Sequence, residues 1–195
     1  MNVLSRFVSN PGEAHRKALL RLLRYVRATA AYRLRLTPAS DRPVAIYADA
    51  SWSHRNSVSG GLILYMGCPI LWWSRRQKSI SASTCEAEYF SAALASREGV
   101  WVLDHLDDTG FRAMAPTPLL LDSKAALDLT QDPAHFKLTK HILRHAFELR
   151  DRVARGVYAP EYVDTAHQLA DVLTKSLRPH VHRTLVQQLL AGADP

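Results

Sequence analysis

Two repeating patterns of apolar and polar residues divide the chain near residue 44. Between Ala14 and Ala31, apolar residues recur every three or four positions and basic residues fill many of the others, which predicts an amphipathic helix. From Val44 onward, short apolar runs separated by glycine, proline and polar residues predict strands. The two prolines within Thr37–Pro43 predict a linker between these parts.

Five strands and five helices are predicted after the linker. The strands are Val44–Asp49, Ser59–Tyr65, Ile70–Ser74, Pro116–Asp122 and Val157–Val163, with Ile80–Ala82 as a candidate continuation of the third. The helices run from Ser83 or Thr84 to about Leu106, then over Ser123–Gln131, Thr139–Arg155 and Ala166–Leu177, and from Pro179 onward. The first three strands are expected to be antiparallel, and right-handed crossovers set the later two parallel to the first.

This order of elements predicts an α/β fold. A five-stranded mixed sheet with helices on both faces would follow, preceded by the basic N-terminal helix. We expect three segments: a basic helical segment with its linker at residues 1–43, the main domain at 44–177, and a C-terminal helix and tail at 178–195.

The basic excess of the chain lies in its first segment. The chain of 195 residues has a net charge of +7, and residues 1–35 hold eight basic residues and one acidic residue, while the rest holds 17 of each. A concentrated basic patch is typical of a protein that binds a polyphosphate partner. The alternative is a solvated helix face that arginines keep in water.

Several classes of protein are disfavoured by composition. No apolar run approaches the roughly 18–20 residues of a membrane span, and the first ten residues lack the pattern of a secretory signal. The two cysteines, Cys68 and Cys85, fit reduced thiols better than a disulfide scaffold or a zinc site. We therefore expect an intracellular protein, in the cytoplasm or the nucleus, without a membrane partner.

Carboxylates supply the candidate chemistry. Two predicted strands end in Asp49 and Asp122, and the sheet order brings both ends to one edge, where open α/β sheets bind ligands. Glu86 and Glu88 follow in the next helix, about 200° apart around its axis, so only one of them can face that edge. Asp171 lies near the start of a later helix. Oxygen ligands without a His or Cys cluster predict Mg²⁺ or Mn²⁺.

Each acid also has an ordinary structural interpretation. Asp122 could cap the following helix, and Asp49 could be a turn residue. Glu86 and Glu88 could be acids favoured at a helix N-terminus, and Asp171 alone could be a surface acid. The joint arrangement is harder to explain in this way than any one member.

Seven segments together resemble the ribonuclease H domain of copia-type retrotransposon Pol polyproteins. In chain order they are Tyr47–Trp52 (YADASW), Ser57–Gly61 (SVSGG), Leu71–Lys78 (LWWSRRQK), Ser83–Tyr89 (STCEAEY), Leu121–Ala126 (LDSKAA), Thr139–Ile142 (TKHI) and Gln168–Lys175 (QLADVLTK). Residues 14–29 are similar to the segment that joins the reverse transcriptase to that domain. The chain has no Tyr-x-Asp-Asp polymerase motif, so we expect a detached part of a polyprotein or a gene derived from one.

The resemblance implies an activity and a set of catalytic residues. Its four carboxylates fall on Asp49, Glu88, Asp122 and Asp171, where they would hold two Mg²⁺ or Mn²⁺ ions and hydrolyse the RNA strand of an RNA–DNA hybrid. The products would carry 5′-phosphate and 3′-hydroxyl ends. Glu88 is chosen over Glu86 by matching the Ala-Glu-Tyr-Phe run, and Glu86 stays an auxiliary candidate.

Further residues are candidates for substrate contacts. Hydroxyls could read the 2′-hydroxyls of one strand and basic side chains could bind phosphates; the candidates are Ser51, Arg75, Arg76, Lys78, Ser123 and Lys140. His167 could assist product release, or it could be a plain surface histidine. Two rivals stay open: a hybrid-binding module without activity, and a module that docks on a reverse transcriptase through the apolar side of the first helix.

Overall fold

The structure is a computed structural model that describes residues 3–34, 36–55, 57–111, 116–131 and 140–191. Of residues 140–146 and 191 it describes the backbone only. Among the described residues, no helix is both long enough and apolar enough to cross a membrane.

Seven strands and six α-helices make up the described fold. The strands are β1 (Arg33–Leu34), β2 (Val44–Ser51), β3 (Val58–Tyr65), β4 (Cys68–Arg76), β5 (Thr117–Leu121), β6 (Tyr158–Tyr162) and β7 (Leu190–Ala191). The helices are α1 (Glu13–Ala28), α2 (Thr84–Asp108), α3 (Lys124–Gln131), α4 (Lys140–Ala154), α5 (Asp171–Thr174) and α6 (Pro179–Leu189). Two short 3₁₀ turns lie at Leu4–Phe7 and Thr165–His167.

The main sheet has five strands in the order β4-β3-β2-β5-β6. β2, β3 and β4 pair in an antiparallel manner, whereas β5 and β6 run parallel to β2. This confirms the predicted mixed sheet and the direction of its later strands. β1 and β7 form a separate two-stranded pair and were not predicted.

Helices cover both faces of the sheet, as predicted. On β3, Ile63 faces a core that α2, α3 and α4 complete, while Leu62 and Leu64 face a second core. This alternation is the two-residue period of a strand whose two faces are both buried. Leu185 and Leu189 of α6 fill the second core, so the helix after residue 177 packs on the main sheet. The division at residues 43 and 177 stays a prediction.

The long helix α2 begins and ends where its sequence predicts. The Ser83 hydroxyl accepts a hydrogen bond from the backbone N–H of Glu86 at 3.2 Å, which satisfies one of the free donors of the first turn. Gly110, with φ of +81°, follows the last turn in the left-handed conformation that glycine adopts without strain. Ala92 and Ala95 are fully buried, and their small side chains allow the helix to lie close to β2.

The predicted continuation of the third strand at Ile80–Ala82 is wrong. Ile80 is 68% exposed, and the chain turns there instead of pairing. The Ser81 hydroxyl donates to Gln77 Oε1 at 2.8 Å, and the Trp52 indole N–H donates to the carbonyl of Ser81 at 3.0 Å. These local hydrogen bonds replace strand pairing because the chain must bend from β4 into α2.

The single helix predicted at Ala166–Leu177 is also wrong. A 3₁₀ turn at Thr165–His167 comes first, and α5 begins only at Asp171. Gln168 separates them with an extended backbone (φ −73°, ψ 97°), and this lets its amide Nε2 donate to the carbonyl of Ala48 at 3.0 Å. That buried hydrogen bond to β2 stabilises the chain more than a continuous helix through Gln168 would.

The first helix packs loosely. No residue of α1 is buried, and Leu19, Leu23 and Val26 are 45%, 53% and 56% exposed. The Tyr25 ring meets the His182 ring of α6 edge-on, with centroids 5.6 Å apart. The amphipathic helix predicted between Ala14 and Ala31 therefore exists, but its apolar side is only partly covered.

Candidate active site

Asp49 and Asp122 lie next to each other on neighbouring parallel strands. Tyr47 of β2 opposes Leu120 of β5, so each aspartate lies two residues beyond this pair and both are level at one edge of the sheet. Asp49 is fully buried within β2, which excludes the turn interpretation. The helix cap before α3 is Ser123, whose hydroxyl accepts from the N–H of Ala126 at 3.2 Å.

Hydroxyl groups orient these two aspartates. The Thr165 hydroxyl donates to Asp122 Oδ2 at 3.1 Å, and the Thr174 hydroxyl donates to Asp49 Oδ2 in a very short hydrogen bond. Asp49 Oδ1 accepts no well-directed hydrogen bond, although it is buried. A buried carboxylate oxygen in this state normally belongs to an ion pair or to a bound cation.

Glu88 reaches the same edge from α2. Its carboxylate Oε2 accepts a hydrogen bond of 2.9 Å from the backbone N–H of Ala50, the residue that follows Asp49. One turn further on, the Ser91 hydroxyl donates to the carbonyl of Asp49 at 2.7 Å. The glutamate and its helix are therefore fixed directly to the strand that carries the first aspartate.

The three carboxylates Asp49, Glu88 and Asp122 form one cluster. They can each offer an oxygen such that all three lie within 4.8 Å of one another. Burial, together with the charges of Asp49 and Asp122, raises the pKa of Glu88 to about 9. Acidic oxygens from two buried residues and the partly buried Asp122 repel one another at this distance, and a hard divalent cation, which prefers oxygen ligands, removes the repulsion.

Asp171 is buried at the start of α5, beside this cluster. Gly60 of β3 makes the close approach possible, because a Cβ there would lie 2.5 Å from Thr174 Cγ2 and 3.1 Å from Leu173 Cβ. Burial, opposed by Lys175 and reinforced by Asp49, raises the pKa of Asp171 to about 6. The surface-acid interpretation of Asp171 therefore does not hold.

A lysine completes the site and was not among the predicted residues. Lys175 Nζ lies 2.7 Å from Asp171 Oδ1, 2.9 Å from Asp49 Oδ1 and 3.7 Å from Asp122 Oδ2. Burial disfavours the charged lysine, but Asp49 and Asp171 outweigh burial and raise its pKa. Two signals in the sequence could have found it: its place in the Gln168–Lys175 segment, and its spacing of four residues after Asp171, which places both on one side of a helical turn.

Gln168 and Thr174 were also not predicted as site residues from the sequence. The buried amide of Gln168 donates to the carbonyl of Ala48 and accepts from the N–H of Ala170 at 3.2 Å. It thus joins the backbone next to Asp49 to the backbone next to Asp171. Neither residue type is unusual near a helix, so no local pattern could single them out.

Glu86 points away from the cluster. Its carboxylate accepts from the backbone N–H of Ala82, just before α2 begins. This matches the interpretation of Glu86 as an acid at a helix start, and it agrees with the expectation that Glu86 and Glu88 cannot face the same site.

The residues predicted to contact the substrate lie around the site and differ in how far they are buried. Ser51 ends β2, two residues after Asp49, and is partly buried. Arg75, Arg76 and Lys78 are exposed at and beyond the end of β4, and Arg75 is paired with Glu98 at 2.5 Å. Ser123 caps α3.

Two further candidates are less well defined. The backbone of Lys140 begins α4, but its side chain lies outside what the structure describes. His167 is exposed at the end of the 3₁₀ turn that carries Thr165, the partner of Asp122.

Comparisons with known proteins point to one group of relatives. The chain is 35% identical over 181 residues to the Retrovirus-related Pol polyprotein from transposon RE1 of Arabidopsis thaliana, and 33% identical over 181 residues to that from transposon RE2 of the same plant. Each match covers 91% of this chain and 12% of the polyprotein. The chain thus spans only a small part of these relatives, and no protein-family model matches it.

A solved structure shares the fold. LC11-RNase H1, isolated from compost by a metagenomic approach, is 18% identical and superposes with a TM-score of 0.53. The match covers 68% of this chain and 92% of that one. At this identity the likeness concerns the fold alone, and it confirms the ribonuclease H-like fold predicted from the sequence.

Proposed function

We propose that this chain, a segment related to the retrovirus-related Pol polyproteins of copia-type transposons, is a nuclease that hydrolyses the RNA strand of RNA–DNA hybrids. One observation carries the proposal: the buried acids Asp49, Glu88 and Asp171 and the partly buried Asp122 meet at one sheet edge, and oxygens of Asp49, Glu88 and Asp122 lie within 4.8 Å of one another. A purely structural role does not account for so many mutually repelling charges in one place.

The three residues of this cluster, together with Asp171 beside it, would hold the divalent ions. Asp49, Glu88, Asp122 and Asp171 would each offer carboxylate oxygens to the ions. When bound, two Mg²⁺ or Mn²⁺ ions supply activation of a water molecule and stabilisation of the departing oxygen. The number of ions and their identity are part of the proposal.

The chain itself fixes the carboxylates before any substrate arrives. The N–H of Ala50 holds Glu88, the Thr165 hydroxyl holds Asp122 and the Thr174 hydroxyl holds Asp49. Such preset hydrogen bonds keep each acceptor in one orientation, so little reorganisation accompanies reaction.

Recognition of the hybrid would depend on sugar hydroxyls and phosphates. Ser51 lies two residues after Asp49 and Ser123 one residue after Asp122, and their hydroxyls would contact 2′-hydroxyls. Arg76 and Lys78 are exposed and would contact phosphates, and Arg75 would have to exchange Glu98 for a phosphate. Lys140 and His167 keep their proposed roles in phosphate binding and product release. Cytoplasmic or nuclear location stays a prediction from the sequence.

The proposal is tested by incubating the protein with a hybrid labelled on its RNA strand, in Mg²⁺ and separately in Mn²⁺. Asp49→Asn and Asp122→Asn variants serve as matched controls, because each removes a charge and keeps the side-chain shape. Cleavage by the parent but by neither variant supports the proposal. Tight, salt-sensitive binding without cleavage in either ion would replace it with the idle hybrid-binding module.

A second candidate function, docking on a reverse transcriptase, is favoured by the exposed apolar side of α1. Leu19, Leu23 and Val26 form part of a helix in which no residue is buried, and the Pol polyproteins that match this chain extend far beyond it. A partner that covers this side would bury apolar surface. Replacing Leu19 and Leu23 by serine should abolish binding to a reverse transcriptase domain and leave the carboxylate site unchanged; unchanged binding would eliminate this candidate.

A further inference from the structure

Lys175 is shared among three acidic side chains. Its ammonium lies within 2.9 Å of one oxygen of Asp49 and one oxygen of Asp171, and 3.7 Å from Asp122. A single lysine at these distances carries part of the counter-charge that several buried carboxylates need. The inner aspartate, Asp49, is fully buried and has no other cation within reach among the described residues.

Lys175 contacts one oxygen of Asp49 and one of Asp171, two of the carboxylates that would hold a divalent cation in the proposed site. Mg²⁺ binds carboxylate oxygens at about 2.0–2.1 Å, whereas an ammonium approaches them to about 2.7–2.9 Å. A divalent ion between Asp49 and Asp171 would therefore come into close contact with the present position of Lys175 Nζ. The divalent ion and the Lys175 ammonium would repel each other strongly at that separation in a partly buried site. They therefore cannot bind the same two carboxylate oxygens at the same time.

Lys175 has room to leave. It follows the last residue of α5, and its side chain is 32% exposed. It also borders a groove of about 730 Å³ between α1 and α6, lined by residues that include Arg21, Tyr25 and His182. Because a lysine stem has four flexible bonds, the ammonium can move into solvent at the mouth of this groove while α5 stays in place.

We propose that Lys175 is an internal counter-ion that occupies the carboxylate site in the absence of a divalent cation and must be displaced when the cation binds. It therefore sets the cation concentration at which the site fills. This inference rests on the proposed function only in its metal site, and it makes Lys175 a positioning residue that acts through Asp49 and Asp171.

The test measures Mn²⁺ binding by the full chain without nucleic acid, by calorimetry or by the electron paramagnetic resonance signal of free Mn²⁺. Lys175→Met keeps the stem and removes the charge, and it should bind Mn²⁺ at least fivefold more tightly than the parent. In EDTA it should melt at a lower temperature than the parent, and Mn²⁺ should raise its melting temperature by more. Lys175→Arg keeps the charge and should not gain affinity.

Lys124→Met is the matched control. Lys124 lies two residues after Asp122, yet its ammonium lies over the Tyr162 ring, 5.2 Å from the centroid. Its removal changes the net charge equally and should alter Mn²⁺ affinity by less than twofold. A similar gain in both methionine variants would overturn the proposal, because general electrostatics would then explain the effect.

Two other outcomes are equally decisive. If Lys175→Met binds Mn²⁺ no more tightly than the parent while the parent still cleaves hybrids, the counter-ion proposal fails and the proposed function stands. If the parent does not bind Mn²⁺, or if Asp49→Asn binds Mn²⁺ as tightly as the parent, the counter-ion proposal and the metal site of the proposed function fail together.

Discussion

The carboxylate of Glu88 accepts a hydrogen bond of 2.9 Å from the backbone N–H of Ala50. Ala50 is the residue after Asp49, so this one contact links the α2 carboxylate to the strand that carries the central aspartate. Glu86, two residues earlier, turns back to the N–H of Ala82 instead. The two glutamates of one short motif therefore have different tasks, and they provide a matched pair for mutation.

Glu88→Gln should lower the rate of hybrid cleavage at least about a hundredfold, since it removes a charged ligand whose contribution to charge stabilisation is several kcal/mol. Glu86→Gln should retain cleavage within about a factor of three and cost roughly 0.5–1 kcal/mol of stability, because it weakens a contact at the helix start. Single-turnover cleavage and urea unfolding of both variants give the comparison. Equal losses of cleavage would mean that the wrong glutamate has been assigned.

The metal-free protein should lose stability as the pH rises. Burial and the charges of Asp49 and Asp122, only partly offset by Lys175, raise the pKa of Glu88 to about 9. Between about pH 4.5 and 9 the folded state therefore binds more protons than the unfolded state. The free energy of unfolding should then fall by up to about 1.4 kcal/mol per pH unit. Urea unfolding in EDTA at pH 5.5 and 8.5 measures this slope.

The control for this pH effect is Glu88→Gln, which removes the titrating carboxyl and should flatten most of the slope. The residual slope would come from Asp171, whose pKa is raised to about 6 and which contributes mainly below pH 7. A parent protein that becomes more stable from pH 5.5 to 8.5 would contradict the crowded, buried cluster described here.

Gly60→Ala should disturb the site without unfolding the chain. The new methyl group would lie 2.5 Å from Thr174 Cγ2, so α5 must shift and take Asp171 and Lys175 with it. We expect Mn²⁺ affinity to fall about tenfold or more, and stability to fall by roughly 1–3 kcal/mol, as for other overpacked positions. Calorimetry and thermal melting check the two effects separately.

Gly61→Ala provides the comparison on the neighbouring residue. Its methyl group would overlap the Trp73 ring on the other side of the sheet, so it should destabilise the protein at least as much while changing Mn²⁺ affinity of the folded fraction far less. If both alanine variants lose Mn²⁺ affinity equally, the close approach of α5 at Gly60 is not what positions Asp171.

Gln77→Ala should destabilise the loop that leads into α2. The buried Gln77 amide donates to Ser59 Oγ and to the carbonyl of Ala87, both at 2.9 Å, and accepts from the Ser81 hydroxyl. Loss of the amide leaves buried partners unsatisfied, which costs about 2–3 kcal/mol. Urea unfolding measures this cost, and Lys78→Ala, at the exposed neighbouring position, should change stability by less than about 0.5 kcal/mol.

Much of the fold follows from local sequence patterns. Apolar runs that end in Asp49 and Asp122 predict two strands of the sheet, and the order of elements predicts helices on both of its faces. The order of elements then places both aspartates at one edge. Periodicity alone shows that Glu86 and Glu88 diverge, but choosing between them needed the resemblance, and the contact with Ala50 has no local signal.

The parts that could not be predicted depend on contacts between distant segments. The break before Asp171 exists because Gln168 bonds to Ala48, 120 residues earlier. Lys175 joins the site because β3 and α5 pack closely at Gly60, which a one-dimensional spacing does not reveal. The pairing of β1 with β7 likewise joins segments that are more than 150 residues apart, Arg33 with Ala191 and Leu34 with Leu190.

The central claim, that the protein cuts the RNA strand of a hybrid, is tested most directly by determining which strand of each substrate is cut. One sequence is offered as an RNA–DNA hybrid, as a DNA duplex and as an RNA duplex, each labelled on one strand at a time, with Mg²⁺ or Mn²⁺. We predict products only from the RNA strand of the hybrid, with 5′-phosphate ends, and none from Asp49→Asn. Cleavage of the DNA strand, or an intact hybrid with the parent protein in both ions, would contradict the account.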